Sequence, residues 1–240
     1  MESSTFTLSA LLPPVIQTDR LALERFTEAP EQYACSLAAI NSPTALREMG
    51  DYGLHTPADL YALNLATRLS PSLIGGRIVD TDFHYLLRLR DGRASGPVSA
   101  ALLRKDGSWS SGSAEVRDDE GSTTVRPSPL MGTISLVQRS HSLPPDMGWC
   151  LLEAYHGHGY ATEAASAVLH FIRTTLGIKD VMAWPGTKNK ASIAVATKIG
   201  MVEAGFIIDE HGEEDLVYAM PGMKRMDGVR MNFGGDDGKK

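Results

Sequence analysis

The stretch "MGWCLLEAYHGHGYATEAASAVLHFIRTTLG", residues 147–177, constrains the fold of this chain more than any other. A short apolar run leads into Gly157 and Gly159. Apolar side chains then recur at Ala161, Ala164, Ala165, Val168, Phe171, Ile172 and Leu176. That spacing is one face of an amphipathic helix, and Gly177 stops it in the manner of a C-cap. The unit reads strand, glycine turn, helix. Such a turn leaves several backbone N–H groups unpaired at the positive end of the helix dipole, which suits an anion such as a pyrophosphate. The glycines let a ligand approach the backbone, and small Ala161 and Thr162 keep the first helical turn open. On this motif alone, an anion site and a plain tight turn stand level.

Three other readings of the turn fare worse. A metal site needs a third ligand beside His156 and His158, and His141 and His170 fit no ligand spacing. A dinucleotide fingerprint requires Gly-x-Gly-x-x-Gly/Ala, but Gly157 and Gly159 are followed by Thr162. No Gly-Lys-Ser/Thr follows, so a phosphate-binding P-loop is excluded. The two cysteines, Cys35 and Cys150, are too few and too far apart for a thiolate cage or a disulfide scaffold. No metal is expected.

The rest of the chain alternates strand and helix signals. "DRLALERFT" (19–27), "DFHYLLRLRDG" (82–92), "MGTISLVQRS" (131–140) and "MGWCLL" (147–152) read as four strands, the last two joined by a short link that favours antiparallel pairing. Between the first and second, "PEQYACSLAAI" and "TPADLYALNLATRL" predict two short helices, the latter with Thr56 as N-cap and Pro57 at the first position. Residues 93–130 read as a β-rich insertion between the second and third strands. "DVMAWP" (180–185) is a fifth, wholly apolar strand, followed by a helix over about 188–199 and a closing hairpin of "GFIID" and "DLVYAM". Residues 1–222 are expected to form a single domain and 223–240 a flexible tail.

With 240 residues, 42% of them hydrophobic and 22% charged, the chain can bury a full core and sits at the globular average. No apolar run nears the roughly 18 residues of a membrane span, and residues 1–20 lack the basic start of a signal peptide. A cytoplasmic protein is expected. The net charge of −6 argues against nucleic acid as a partner.

Taken in order, these blocks resemble the GNAT superfamily of acyl-CoA-dependent N-acetyltransferases, most closely the branch of ribosomal-protein N-terminal acetyltransferases. The resemblance runs from "IQTDRLALERF" through "GTISLVQRS" and "MGWCLLEAYHGHGYATEA" to "NKASIAVATKIGM" and the last hairpin. The family's Gln/Arg-x-x-Gly-x-Gly/Ala signature falls on residues 156–161. Gly159 and Ala161 match, and His156 departs from Gln or Arg. In "NKASIAVATKIGM", Asn189, Ser192, Lys198 and Gly200 match the branch, and Met201 replaces its Phe. The resemblance implies an α+β GNAT fold: a central, mixed but mostly antiparallel twisted sheet flanked by helices. It implies acetyl-CoA, or another acyl-CoA, as co-substrate, and the primary amine of a small molecule or a peptide N-terminus as acceptor, in a monomer or homodimer. A non-catalytic acyl-CoA-binding module or repurposed fold is the alternative.

By the same resemblance the pantetheine enters a gap between the fourth and fifth strands and pairs with the backbone of Gly148, Trp149, Cys150, Leu151 and Leu152. The pyrophosphate lies on Gly157, His158, Gly159, Tyr160, Ala161 and Thr162, with Asn189 and Lys198 as further contacts. Attack on a thioester needs the amine to lose a proton and the carbonyl oxygen to meet a donor. Asp146, with Glu153 second, is the candidate base. Ser192 is the candidate acid for the thiolate, since the position where many members carry a tyrosine holds Ala196. Glu163 reads as a first-turn acid that favours the helix dipole, and a partly protonated His156 as a further attraction for phosphate. The acceptor pocket is expected from the early helices, the insertion and the closing hairpin.

Overall fold

The computed structural model describes residues 7–90, 99–103, 109–113, 128–209 and 212–230. Its centre is the antiparallel run β2 (Leu21–Arg25), β3 (Phe83–Leu89), β6 (Leu130–Val137) and β7 (Asp146–Leu151), which are the four strands read from sequence. A short helix α1 (Leu8–Leu11) and a short β1 (Val15–Gln17) precede β2, and β1 pairs with β2 as a hairpin. The described part of the insertion is β4 (Ser99–Leu103) and β5 (Trp109–Ser113), an antiparallel pair that joins β1 in parallel. On the other flank lie β8 (Met182–Ala183), β9 (Val202–Ile208), β10 (Glu214–Ala219) and β11 (Val229–Arg230). The described strands form one sheet in the order β11-β9-β10-β8-β7-β6-β3-β2-β1-β4-β5. It is the mixed, mostly antiparallel sheet expected.

Strand alternation distributes the core over both faces. Phe83, Tyr85 and Leu87 of β3 pack with Leu21, Leu23 and the apolar face of α5 (Tyr160–Phe171), while Leu86 joins Phe26 and Cys35 of α2 (Pro30–Ile40) on the other side. Phe83, His84, Tyr85, Leu86 and Leu87 are all buried, so β3 is covered on both faces.

Several elements differ from the sequence reading. A further helix, α3 (Pro43–Met49), stands between α2 and α4 (Pro57–Ala66). Its signal is local: the Ser42 side chain accepts the N–H of Ala45, and Pro43 takes the first position. The helix after the glycine turn changes to a π-helical turn, Ile172–Leu176, before left-handed Gly177. Residues 223–230 include buried Met226, and β11 pairs in parallel with β9. Val181, Met182, Ala183 and Pro185 of "DVMAWP" are buried as in an apolar strand, but only Met182 and Ala183 form ladder pairs. That shortness creates the site.

Candidate active site

β7 and β8 share a single register pair, Asp146 opposite Met182. At this apex the Met182 N–H donates to the Pro145 carbonyl at 3.0 Å, and the Trp184 N–H donates to Asp146 Oδ1 at 3.1 Å. Asp146 is only 3% exposed, and its Oδ2 accepts Arg139 Nε at 2.9 Å. The Arg139 guanidinium also lies 5.6 Å from the Trp184 ring centroid. One buried carboxylate thus ties β8 to the link after β6. Beyond Asp146 the strands part.

The parting leaves one edge of β7 open while β6 holds the other. The Leu152 N–H points to β6, donating to the Met131 carbonyl at 2.9 Å. Backbone alternation therefore turns the groups of Gly148 and Cys150 toward β6, and those of Trp149 and Leu151 toward the gap. Of the five residues expected to bind pantetheine by main chain, Trp149 and Leu151 are the ones that face the opening. Even there, one acceptor is taken: His156 Nε2 donates to the Leu151 carbonyl at 2.9 Å. This contact aims His156 at the end of β7.

A cavity of about 500 Å3 opens at the fork. Thr133, Ser135 and Cys150 form its sheet wall, Tyr52, Leu60 and Asn64 its helical wall, and Trp184 and Ser192 stand beyond the gap. The early helices and the closing hairpin contribute to it, as expected. The described strands of the insertion do not, because β4 and β5 sit at the opposite end of the sheet. Among lining residues the carboxylates Asp51, Asp146, Asp209 and Asp215 outnumber the cation Arg139, and the rings of Tyr52, Trp149 and Trp184 add aromatic faces. Such a wall favours an ammonium group. Tyr52 is 47% exposed as a whole, but desolvation of its hydroxyl end inside the cavity, beside Asp146 and Asp215, raises it above the usual tyrosine range, and burial pushes the Cys150 thiol up to about 12.

At the cavity floor, burial pushes His84 down to about 4. Its Nδ1 lies 3.4 Å from Asn64 Nδ2, which donates, so Nε2 carries the proton and donates to Thr133 Oγ1. The imidazole is neutral and both its nitrogens are occupied.

The glycine turn lies at the N-terminus of α5. Gly157 and Gly159 have φ of 79°, in the left-handed region, where a Cβ would be strained. No acceptor among the described residues takes the N–H groups of residues 157–162, whereas the Glu163 N–H donates to the Gly159 carbonyl and starts the helix. This open row of amides is what an anion site requires. The histidines do not converge on a metal. His156 is held by Leu151, and the His158 ring stacks on Tyr160 at 5.6 Å.

Ser192 and Asn189 belong to the start of α6 (Lys190–Lys198), where Asn189 Oδ1 accepts the Ser192 N–H at 2.9 Å as a cap. Lys198 is exposed at the far end of that helix, about 13 Å away at the usual rise per residue, and does not reach the cavity. Glu153 is not brought to it either. It is exposed and accepts the Thr44 N–H at 2.8 Å, and the hydrogen bonds from Thr44 hold its carboxyl below the usual range. Glu163 does more than face a dipole. Burial pushes its carboxyl up, but hydrogen bonds from Thr18 and Arg20 outweigh this and hold it low.

A mixed sheet forked beside its central strand, with an amide-lined turn behind the fork, is the arrangement that the sequence resemblance leads one to expect. Residues 93–202 match the family model of the acetyltransferase (GNAT) domain. An acetyltransferase from Agrobacterium tumefaciens aligns at 21% identity and a TM-score of 0.55, covering 86% of this chain and 93% of its own. A GNAT-family acetyltransferase from Bacillus anthracis aligns at 16% and 0.53, over 86% and 97%. A ribosomal-protein alpha-N acetyltransferase in complex with coenzyme A aligns at 13% and 0.52, over 85% and 96%. No match was found among curated protein sequences. Residues 93–202, a little under half of the chain, are thus similar to a GNAT acetyltransferase domain, and the solved structures share the fold over most of the chain. Among the described residues no helix is long and apolar enough to cross a membrane.

Proposed function

We propose that this chain transfers an acetyl group from acetyl-CoA to the primary amine of a small molecule or a peptide N-terminus, by direct attack in a ternary complex. The observation that carries this reading is the fork. β7 keeps an open edge beside a cavity that reaches from the helical wall to Ser192. The residues present fit the group. Amides 157–162 suit the pyrophosphate, Trp149 and Leu151 offer main-chain groups to the pantetheine amides as an added strand would, and Asn189 caps the helix whose Ser192 stands across the fork. When bound, acyl-CoA supplies an activated thioester carbonyl.

The Trp149 and Leu151 amides are the donors for negative charge that develops on the carbonyl oxygen. Asp146 is the carboxylate at the apex, and two of its roughly four lone-pair positions are used. It takes the ammonium proton through water. The Ser192 hydroxyl, half-buried in the cavity wall, donates to the departing sulfur. The acidic and aromatic lining draws the acceptor in as a cation.

The test is to titrate the protein with CoA and acetyl-CoA, then follow thiol release with a panel of primary amines. Binding with turnover of at least one amine supports the reading. Tight binding without turnover on any amine makes the chain a non-catalytic acyl-CoA-binding module, and no binding of either ligand removes both.

A further inference from the structure

The amide row of residues 157–162 poses a physical problem. Aligned N–H groups repel one another, and left-handed glycines at 157 and 159 are the least restrained residues a chain can use. Something must hold the loop in a binding shape before the anion arrives. The loop's own side chains do not, since His156 turns to Leu151 and His158 stacks on Tyr160.

The restraint comes from the turn between β1 and β2, more than 130 residues earlier in the chain. Arg20 Nη1 donates to the His158 carbonyl at 2.9 Å, and Arg20 Nε donates to Glu163 Oε2 at 2.6 Å. The guanidinium carbon lies 4.7 Å from the Tyr160 ring centroid. Glu163 Oε1 in turn accepts the Arg20 N–H at 2.8 Å and the Thr18 hydroxyl. One planar cation thus grips a carbonyl just before Gly159 and a carboxylate in the first turn of α5. Because a trans peptide sets C=O and N–H antiparallel, fixing the His158 carbonyl toward Arg20 turns the Gly159 N–H away from Arg20, to the open side of the loop.

We infer that Arg20 is the positioning residue of the pyrophosphate loop: through the His158 carbonyl and Glu163 it orients the Gly159 amide for the anion. This rests on the reading of residues 157–162 as the CoA site. The mechanism needs both ends of the guanidinium, so a lysine, a point charge without the fork geometry, does not replace it.

The experiment compares wild type, R20Q and R20K by calorimetric Kd for CoA and 3′-dephospho-CoA, and by kcat/KM for acetyl-CoA against S-acetylpantetheine, which lacks the pyrophosphate. In R20Q the affinities for CoA and 3′-dephospho-CoA fall alike, about tenfold, and the preference for acetyl-CoA over S-acetylpantetheine falls by the same factor. R20K recovers less than half of the loss on a logarithmic scale. A purely architectural role would lower both thioester activities together and leave the preference unchanged, which overturns the inference. So does a loss confined to CoA, which would place Arg20 on the 3′-phosphate, or full rescue by lysine, which would make charge alone sufficient. If R20Q does not fold, E163Q breaks the other end of the grip and is expected to show the same fall in preference. Wild type that binds CoA while the variants match it refutes Arg20's role alone; wild type that binds neither nucleotide refutes the CoA reading itself.

Discussion

Replacing Asp146 by Asn probes the apex of the fork with almost no change of shape. The carboxylate is buried and accepts from two donors, the Arg139 guanidinium and the Trp184 amide. Asn keeps an acceptor for Trp184, but it loses the charge-assisted bond to Arg139 and sets an NH2 group against Nε. A hydrogen bond to a charged group contributes about 1.5–3 kcal/mol, and an unsatisfied buried donor costs about 1–3 kcal/mol. The variant should therefore lose about 3 kcal/mol of stability, which for a domain of this size lowers Tm by roughly 6–12 °C. The fork loosens with it, so the Kd for acetyl-CoA rises, and kcat falls about a hundredfold with loss of the proton acceptor. Thermal melts of the two proteins alongside amine-dependent thiol release read all three. A Tm within about 2 °C of wild type would refute the reasoning that Asp146 pins the strands, whatever happened to the rate.

Further outcomes follow from other parts of the site. Gly159→Glu forces a side chain into a left-handed conformation with its Cβ 3.5 Å from Arg20 Nη2, where its carboxylate competes with Glu163 and the His158 carbonyl for the guanidinium, so CoA binding should fall at least about tenfold; calorimetry that shows an unchanged Kd would reduce the loop to a turn. Ser192→Ala should lower kcat about tenfold while the Kd for CoA stays within about twofold, and an unaltered kcat would move the proton donor elsewhere. His84 has a folded pKa of about 4, below its unfolded value near 6.5, so the unfolded chain binds more protons between those values. Stability should therefore fall by about 3 kcal/mol as pH drops from about 6.5 to about 4. His84→Gln should flatten that slope in denaturant titrations, and an equal slope in both proteins would place the titrating group elsewhere.

Much of this was legible in the sequence because it is local. Leu21 and Leu23 mark β2 by alternation, Ala164, Ala165 and Val168 mark the buried face of α5, and Gly157 and Gly159 announce a turn whose left-handed geometry the structure bears out. What escaped the reading is non-local. "DVMAWP" looks like a full strand because its five residues after Asp180 are apolar, yet its pairing ends at Ala183 because β7 diverges. The grip of Arg20 on His158 and Glu163 joins segments far apart in sequence, and nothing near Arg20 signals it. From sequence Glu163 shows only its place in the first turn of α5, because Thr18 and Arg20, its partners, lie more than 140 residues away. Tyr52, outside any motif, enters the cavity because α3 and α4 bring its loop over the sheet. The insertion is expected at the pocket from the sequence, but its described strands extend the far edge of the sheet.

The account stands most directly on where coenzyme A binds. A crystal structure of the complex should place the pyrophosphate oxygens within hydrogen-bond distance of the amides of residues 157–162, and the pantetheine arm along Trp149 and Leu151 with its sulfur beside Ser192. Coenzyme A bound away from the fork, or a fork closed by pairing of β7 with β8 beyond Asp146, would contradict it.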